Sequence, residues 1–165
     1  MFKNKKQKGF TLIEILIVIG IIAVLATIVI IAINPARQFA QARDTQRVSN
    51  ANTILNAVGQ KLADCKGDFG ATTTECTSSP ACPDLVTGPA TICAGASCPG
   101  GTIINFACLT PTYIPSQLPV DPSSGTWVDA TNYNTGYTIA QDATSKRITI
   151  DAPQAEITDP ISVTR

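Results

Sequence analysis

No histidine occurs anywhere in the 165 residues. Its absence removes the commonest general base, the commonest metal ligand and every histidine-containing catalytic triad. Charge is scarce as well. Asp, Glu, Lys and Arg make up only 15% of the chain, while Thr, Ser, Ala and Gly are abundant. Such a surface suits packing against copies of itself better than the life of a heavily solvated enzyme. The sequence has no P-loop, no G-x-G-x-x-G, no G-x-S-x-G and no metal-binding histidine pair. No enzymatic activity, no metal and no cofactor is therefore expected. Aromatics are also few. Residues 63–165 hold only Phe69, Phe106, Tyr113, Trp127, Tyr133 and Tyr137, a small endowment for a core.

The charges that are present are unevenly spread. The chain balances 12 Lys and Arg against 12 Asp and Glu, but Lys3, Lys5, Lys6 and Lys8 all precede Gly9. Without residues 1–9 the remainder is mildly acidic. That argues against a general electrostatic affinity for nucleic acid and leaves room only for a local basic patch.

All six cysteines, Cys65, Cys76, Cys82, Cys93, Cys98 and Cys108, fall in one stretch. An even number in a loop-rich segment points to disulfides formed outside the cytoplasm. Zinc is the alternative, but no C-x-x-C pair is present, which fits a structural zinc site poorly. Six cysteines permit about 15 pairings, and their spacing selects none.

Residues 10–33 form an almost unbroken apolar run. As a helix at about 1.5 Å per residue it reaches roughly 36 Å, enough for a bilayer core of about 30 Å. Lysines flank its N-terminal side closely, so residues 1–9 are expected in the cytoplasm and the C-terminal bulk outside. A secretory signal peptide would be shorter and end in a small-x-small site, a pattern that Ala23-Val-Leu-Ala26 lacks. A plain signal-anchor explains the length and orientation but not Glu14. A carboxylate at bilayer depth costs about 2.5–3.5 kcal/mol on insertion scales, less near an interface, and is usually paired. A cut before Phe10 would create an α-amino group, positively charged below a pKa of about 8. Only pairing with the terminus of a neighbouring copy would neutralise two buried charges and also fix the register between subunits.

Lys8-Gly9-Phe10-Thr11-Leu12-Ile13-Glu14, behind a short basic leader and ahead of a long apolar helix, resembles the class III signal of type IV pilins and type II secretion pseudopilins. The resemblance covers roughly the first third of the chain. It implies that a prepilin peptidase cuts after Gly9 and methylates the new N-terminal Phe10, and that Glu14 serves filament assembly. It also implies an α+β fold, with a long N-terminal helix packed on an antiparallel sheet. The implied partners are further copies of the chain, the peptidase, the pilus assembly machinery and, before assembly, membrane lipid. The expected function is that of a pilin subunit, anchored in the cytoplasmic membrane and then part of an extracellular filament. A pseudopilin of a secretion machine is the nearer rival, and a membrane-tethered, disulfide-rich binding module the more distant one.

Asn34-Pro35 interrupts the apolar run, so a kink or break is expected at Pro35. Residues 34–62 then read as a helix, with Val48, Ala51, Leu55, Val58 and Leu62 in one stripe. Arg37, Arg43 and Arg47 lie off that stripe and are assigned to a solvated face. The head is taken as residues 63–165, with an irregular cysteine-rich region over 65–108 and a sheet over 103–165. Strands are expected at Ile103–Phe106, around Tyr137 and Ile139, around Ile148 and Ile150, and at Ile161–Thr164, with a turn at Asp142–Lys146. Leu118-Pro-Val-Asp-Pro122 resembles a segment of pseudopilins and some pilins. Some members of the secretion branch bind calcium nearby. Asp121, Asp129, Asn132 and Asn134 carry suitable oxygens, but their spacing matches no EF-hand loop, and they are assigned to solvated turns.

Overall fold

The computed structural model describes residues 9–70, 76, 81–158 and 160–165. The leader lysines lie outside the described residues. The chain divides into two compact units, Met1–Phe39 and Ala40–Arg165.

The first unit is built on helix α1, Leu12–Ile33, which has no buried residue. It ends where Asn34 turns left-handed, at φ 45°. Helix α2, Pro35–Asp64, starts at the next residue. Proline suits a first helical position because its missing N–H has no intrahelical partner there and its φ is already helical. Asn34 completes the joint, with its side-chain oxygen accepting from the Arg37 N–H at 3.4 Å.

In the second unit, α2 from residue 40 onward and a six-stranded sheet share one core. The strands are β1 (Ala90–Ala94), β2 (Ile103–Ile104), β3 (Thr126–Asp129), β4 (Asn132–Gln141), β5 (Ile148–Ala152) and β6 (Ile161–Thr164). Their order is β2-β1-β4-β5-β6, with β3 also on β4. The sheet is mixed rather than purely antiparallel, because β1 and β2 run parallel. On β4 strict alternation buries Tyr133, Thr135, Tyr137 and Ile139. Tyr133, Tyr137 and Ile139 meet Ala51, Ile54, Leu55 and Val58 of α2 in one cluster with Ile92, Phe106, Leu109, Leu118 and Ile150. The β4–β5 turn forms as expected from its residues. Asp142 Oδ1 accepts from the Thr144 and Ser145 N–H groups at 3.0 and 2.6 Å, the usual way an Asp closes a turn.

Two strands correct the sequence reading. The region 65–108 is not wholly irregular, because β1 lies inside it, and the sheet begins at Ala90 rather than at 103. Four of the five β1 residues are buried, so the segment shows no polar–apolar alternation to betray it. Strand β3 is a second element beyond the expected strands. It is held by Trp127 stacking on Tyr133, ring centroids 5.0 Å apart, and by Asp129 Oδ1 accepting from the Thr131 N–H at 2.7 Å. Conversely, the expected strand Ile103–Phe106 shrinks to two residues, and Phe106 instead leads a 3-10 turn, Ala107–Leu109.

The cysteines form three disulfides, Cys65–Cys76, Cys82–Cys108 and Cys93–Cys98. Each typically contributes about 2–4 kcal/mol to a small domain.

Candidate assembly segment

Gly9, Phe10 and Thr11 precede the first helical residue, and all three are exposed, Phe10 at 84%. The Gly9–Phe10 bond thus lies in non-helical, open chain, the form in which a backbone can enter a peptidase cleft. A Cβ at Gly9 would meet nothing within 4 Å, so any need for glycine there is set by a partner rather than by this fold.

Thr11 is the N-cap of α1 and forms a reciprocal capping box with Glu14. The Glu14 N–H donates to Thr11 Oγ1 at 3.3 Å, and the Thr11 N–H and hydroxyl both donate to Glu14 Oε2 at 2.8 Å. Two N–H groups that a helix start leaves orphaned are so satisfied, and the carboxylate sits at the end of the helix where its charge is favoured. Thr11 was overlooked as a functional residue, although Thr-x-x-Glu at the head of an apolar run is the sequence signature of this motif. The box gives Glu14 a partner within its own chain. Both bonds use Oε2, and among the described residues no donor reaches Oε1.

Beyond Glu14, α1 holds no charged residue, and its large apolar side chains are at least half exposed all around, from Leu12 (82%) to Ile33 (53%). A helix apolar on every side is covered in its working state, by lipid or by protein. Sixteen of its 22 residues are Leu, Ile or Val. At about −0.3 to −0.6 kcal/mol each they outweigh the roughly 3 kcal/mol asked by one carboxylate. Insertion therefore wins, with the acid aboard.

The family described as the prokaryotic N-terminal methylation motif matches residues 4–30. Over this segment the chain is similar to type IV pilin-like precursors. The match takes in most of the basic leader, the Gly9–Phe10 junction, Glu14 and most of α1, and supports a precursor similar to pilins or pseudopilins, with a segment long and apolar enough to anchor in a membrane. No curated protein and no solved structure matches the chain. The pilin-like motif stops short of the head, whose architecture rests on its own geometry.

In the head the charged residues overturn two sequence assignments. Arg47 is not on a solvated face but wholly buried. Its Nε donates to Asp121 Oδ2 at 2.6 Å, Nη1 to Asp44 Oδ1 at 2.8 Å and to Glu156 Oε1 at 3.0 Å, and Nη2 to Ser123 Oγ at 2.7 Å. Arg43 also pairs with Glu156. Asp121 is not a solvated turn residue either, being 2% exposed. Burial pushes its carboxyl up, but Arg47 and the Ser123 and Ser124 donors outweigh that and hold it at about 2. Burial likewise opposes the Asp44 charge. The backbone N–H groups of Thr158, Glu156 and Ile157, with Arg47, prevail and hold it far below the carboxylate range. Arg43 first, then Arg47, holds Glu156 at about 2. One arginine on α2 thereby ties down both the Leu118–Pro122 segment and the loop before β6. Gly136 makes room for this, since a Cβ there would stand 2.7 Å from that of Asp121, and its φ is +77°.

The remaining calcium candidates are committed elsewhere. Asp129 caps its turn, Asn132 Oδ1 accepts from the Ser97 N–H and hydroxyl, and Asn134 Oδ1 accepts from the Gly136 N–H. With Asp121 clamped by Arg47, the four do not converge as a ligand set.

Proposed function

We propose that this chain is the structural subunit of a type IV pilus-like filament. A prepilin peptidase cuts after Gly9 and methylates Phe10, and α1 moves from the lipid into a bundle of its own copies. The observation that carries this reading is a single carboxylate, Glu14, at the start of a helix apolar on all sides. Its Oε2 is taken up by Thr11. Oε1 accepts from no donor among the described residues, which leaves it for the ammonium of Phe10 on an adjacent subunit. Such a pair neutralises both charges where water is excluded and sets the axial register, because a displaced neighbour would leave two ions unpaired in a medium of low dielectric.

Electron microscopy of sheared surface material, with mass spectrometry of the exported protein, tests the reading. Glu14→Ala should still insert and lose residues 1–9, yet form no filaments. Replacing Gly9 by a bulky residue should leave the leader attached. Normal filaments from Glu14→Ala, or wild-type filaments that begin at Met1, would overturn it. A pseudopilin role is the rival reading, since Leu118-Pro-Val-Asp-Pro122 resembles a segment of pseudopilins as well as of some pilins. Short or absent filaments beside an intact secretion phenotype would favour that role.

A further inference from the structure

The head carries two unlike patches at opposite ends of β4, its longest strand. At the start of β4, the turn from β3 presents Val128 and Asp129. Trp127 pairs with Tyr133 and Asp129 with Asn132, so Val128 is an extra residue in the ladder. A bulge of this kind re-aims a side chain. Val128 is 66% exposed, more than any other large apolar side chain of the second unit among the described residues. Asp129 uses one oxygen within its own turn. Oδ1 accepts from the Thr131 N–H and hydroxyl and from the Asn132 N–H, and among the described residues no donor reaches Oδ2. At the far end of β4, a groove of about 170 Å³ is lined by Leu55, Gly59 and Leu62 of α2, by Ile148, and by Lys146 and Arg165. Its floor is apolar and two cations flank it. Arg165 donates from Nη1 to Asn56 Oδ1 at 2.9 Å, a neutral partner. Its backbone oxygen accepts from the Ile148 N–H and stays in the ladder. Lys146 is exposed, and Arg147 beside it is a third exposed cation. Three acids lie nearby. The Asp142 carboxyl is held down first by the Ser145 N–H and hydroxyl and the Thr144 N–H, and last by Lys146. Asp68 and Asp84 line a separate cleft that shares only Leu62 with the groove.

We propose that the Val128–Asp129 tip of one copy docks in this groove on the next copy. Val128 covers the floor of Leu55, Leu62 and Ile148, and Asp129 Oδ2 lies between Lys146 and Arg165. The chemistry of the two patches selects a second copy as the occupant: one is apolar and acidic, the other apolar and basic. Gly59 fits the same assignment. Glycine inside a helix is unfavourable relative to alanine. Yet this fold leaves room for a Cβ there, whose nearest neighbour would be Arg165 Nη1 at 3.7 Å. The open floor is therefore not a demand of the head's own packing. A contact between two different patches is heterologous, and repeated it gives a ring or an open helix. Patches at the two ends of one strand favour the open helix. The inference deepens the filament reading, on which it rests for the supply of neighbouring copies, by naming the contact between heads.

The test uses a water-soluble carbodiimide, which joins a carboxyl to an amine without a spacer, on sheared filaments and on membranes of cells expressing the full chain. Within one chain Asp129 and Lys146 are separated by the ten residues of β4, roughly 30 Å at about 3.3 Å each. An amide between them therefore joins two copies. Mass spectrometry of the digest should find that amide. Val128→Ser and Gly59→Leu keep both reacting groups, yet each should lower its yield about tenfold, through lost apolar burial and a filled groove. The head's urea midpoint should not fall in either variant. Filaments without the amide overturn the inference and leave the filament reading standing. The amide on membranes that bear no filaments upholds the contact and removes the filament reading instead. Absence of both overturns both. An amide yield unchanged in the two variants also overturns the inference.

Discussion

Arg47 is the residue on which most of the head's polar order converges. It bonds to Asp44, Asp121, Ser123 and Glu156 and has no exposed surface. Removing one member of a buried ion network leaves the others charged and unpaired, at a cost of about 3–5 kcal/mol. Arg47→Met, which keeps most of the volume, should therefore lower the unfolding free energy of the head by that amount in urea titration. Adding Asp121→Asn should recover part of the loss, because one stranded charge goes with it. Independent, additive effects would show that the two residues are not coupled. Nothing in the identity of Arg47 announces burial. The signal is positional: Asp44, Arg47, Ala51, Ile54, Val58 and Lys61 continue one helical stripe, and all six are buried. A stripe drawn through apolar residues alone took in Val48, which is 42% exposed, and left out the ionic ends of the true face.

At the scale of elements, the start of α1 and the clasp before β6 make separate predictions. Thr11→Val keeps the shape of Thr11 but removes the cap, typically worth about 1 kcal/mol. Hydrogen exchange of the protein in detergent should then speed up about fivefold in the first turn of α1 and nowhere in the head. The clasp predicts an acid limit. Asp121 and Glu156 both fall to about 2 in the folded head. Unfolded, they return to about 3.9 and 4.3. Their stabilisation is fully present above pH about 4.5 and fades as pH falls toward 2, because the unfolded chain then binds protons that the folded one refuses. Thermal melts should show a flat midpoint above pH 5 and a decline below pH 4. Glu156→Gln should flatten that decline. A midpoint unchanged down to pH 2 would refute the assignment. Among the strands, β4, β5 and β6 could be read from their alternating residues, which face core on one side and water on the other. Strand β1 could not, since burial of four of its five residues erases the period on which such a reading depends.

For the whole molecule, the division of labour follows the chain. The N-terminal segment, with its exposed Gly9–Phe10 bond, capped Glu14 and unshielded apolar helix, supplies anchorage and, in the proposed role, the processing site and the polymer contacts. The second unit folds around its own core and three disulfides. Glu14→Ala should therefore leave the head's urea midpoint unchanged while filaments disappear, and Arg47→Met should lower that midpoint with the Gly9 cut intact. If either substitution altered both readouts equally, the two functions would not be separable in this way.

The sequence by itself determined whatever depends on neighbours along the chain. That covers the apolar helix, its charged leader, the junction at Gly9, the lone acid at Glu14 and the break at Asn34-Pro35, because each is a matter of local composition and backbone chemistry. It also determined that the cysteines would staple the head. Only the tertiary structure decided how they pair, that β1 runs parallel to β2, and that Arg47 and Asp121 are buried together. Those outcomes depend on which distant segments meet. A charged side chain enters a core only when a partner far off in sequence, here 74 residues away, is there to receive it.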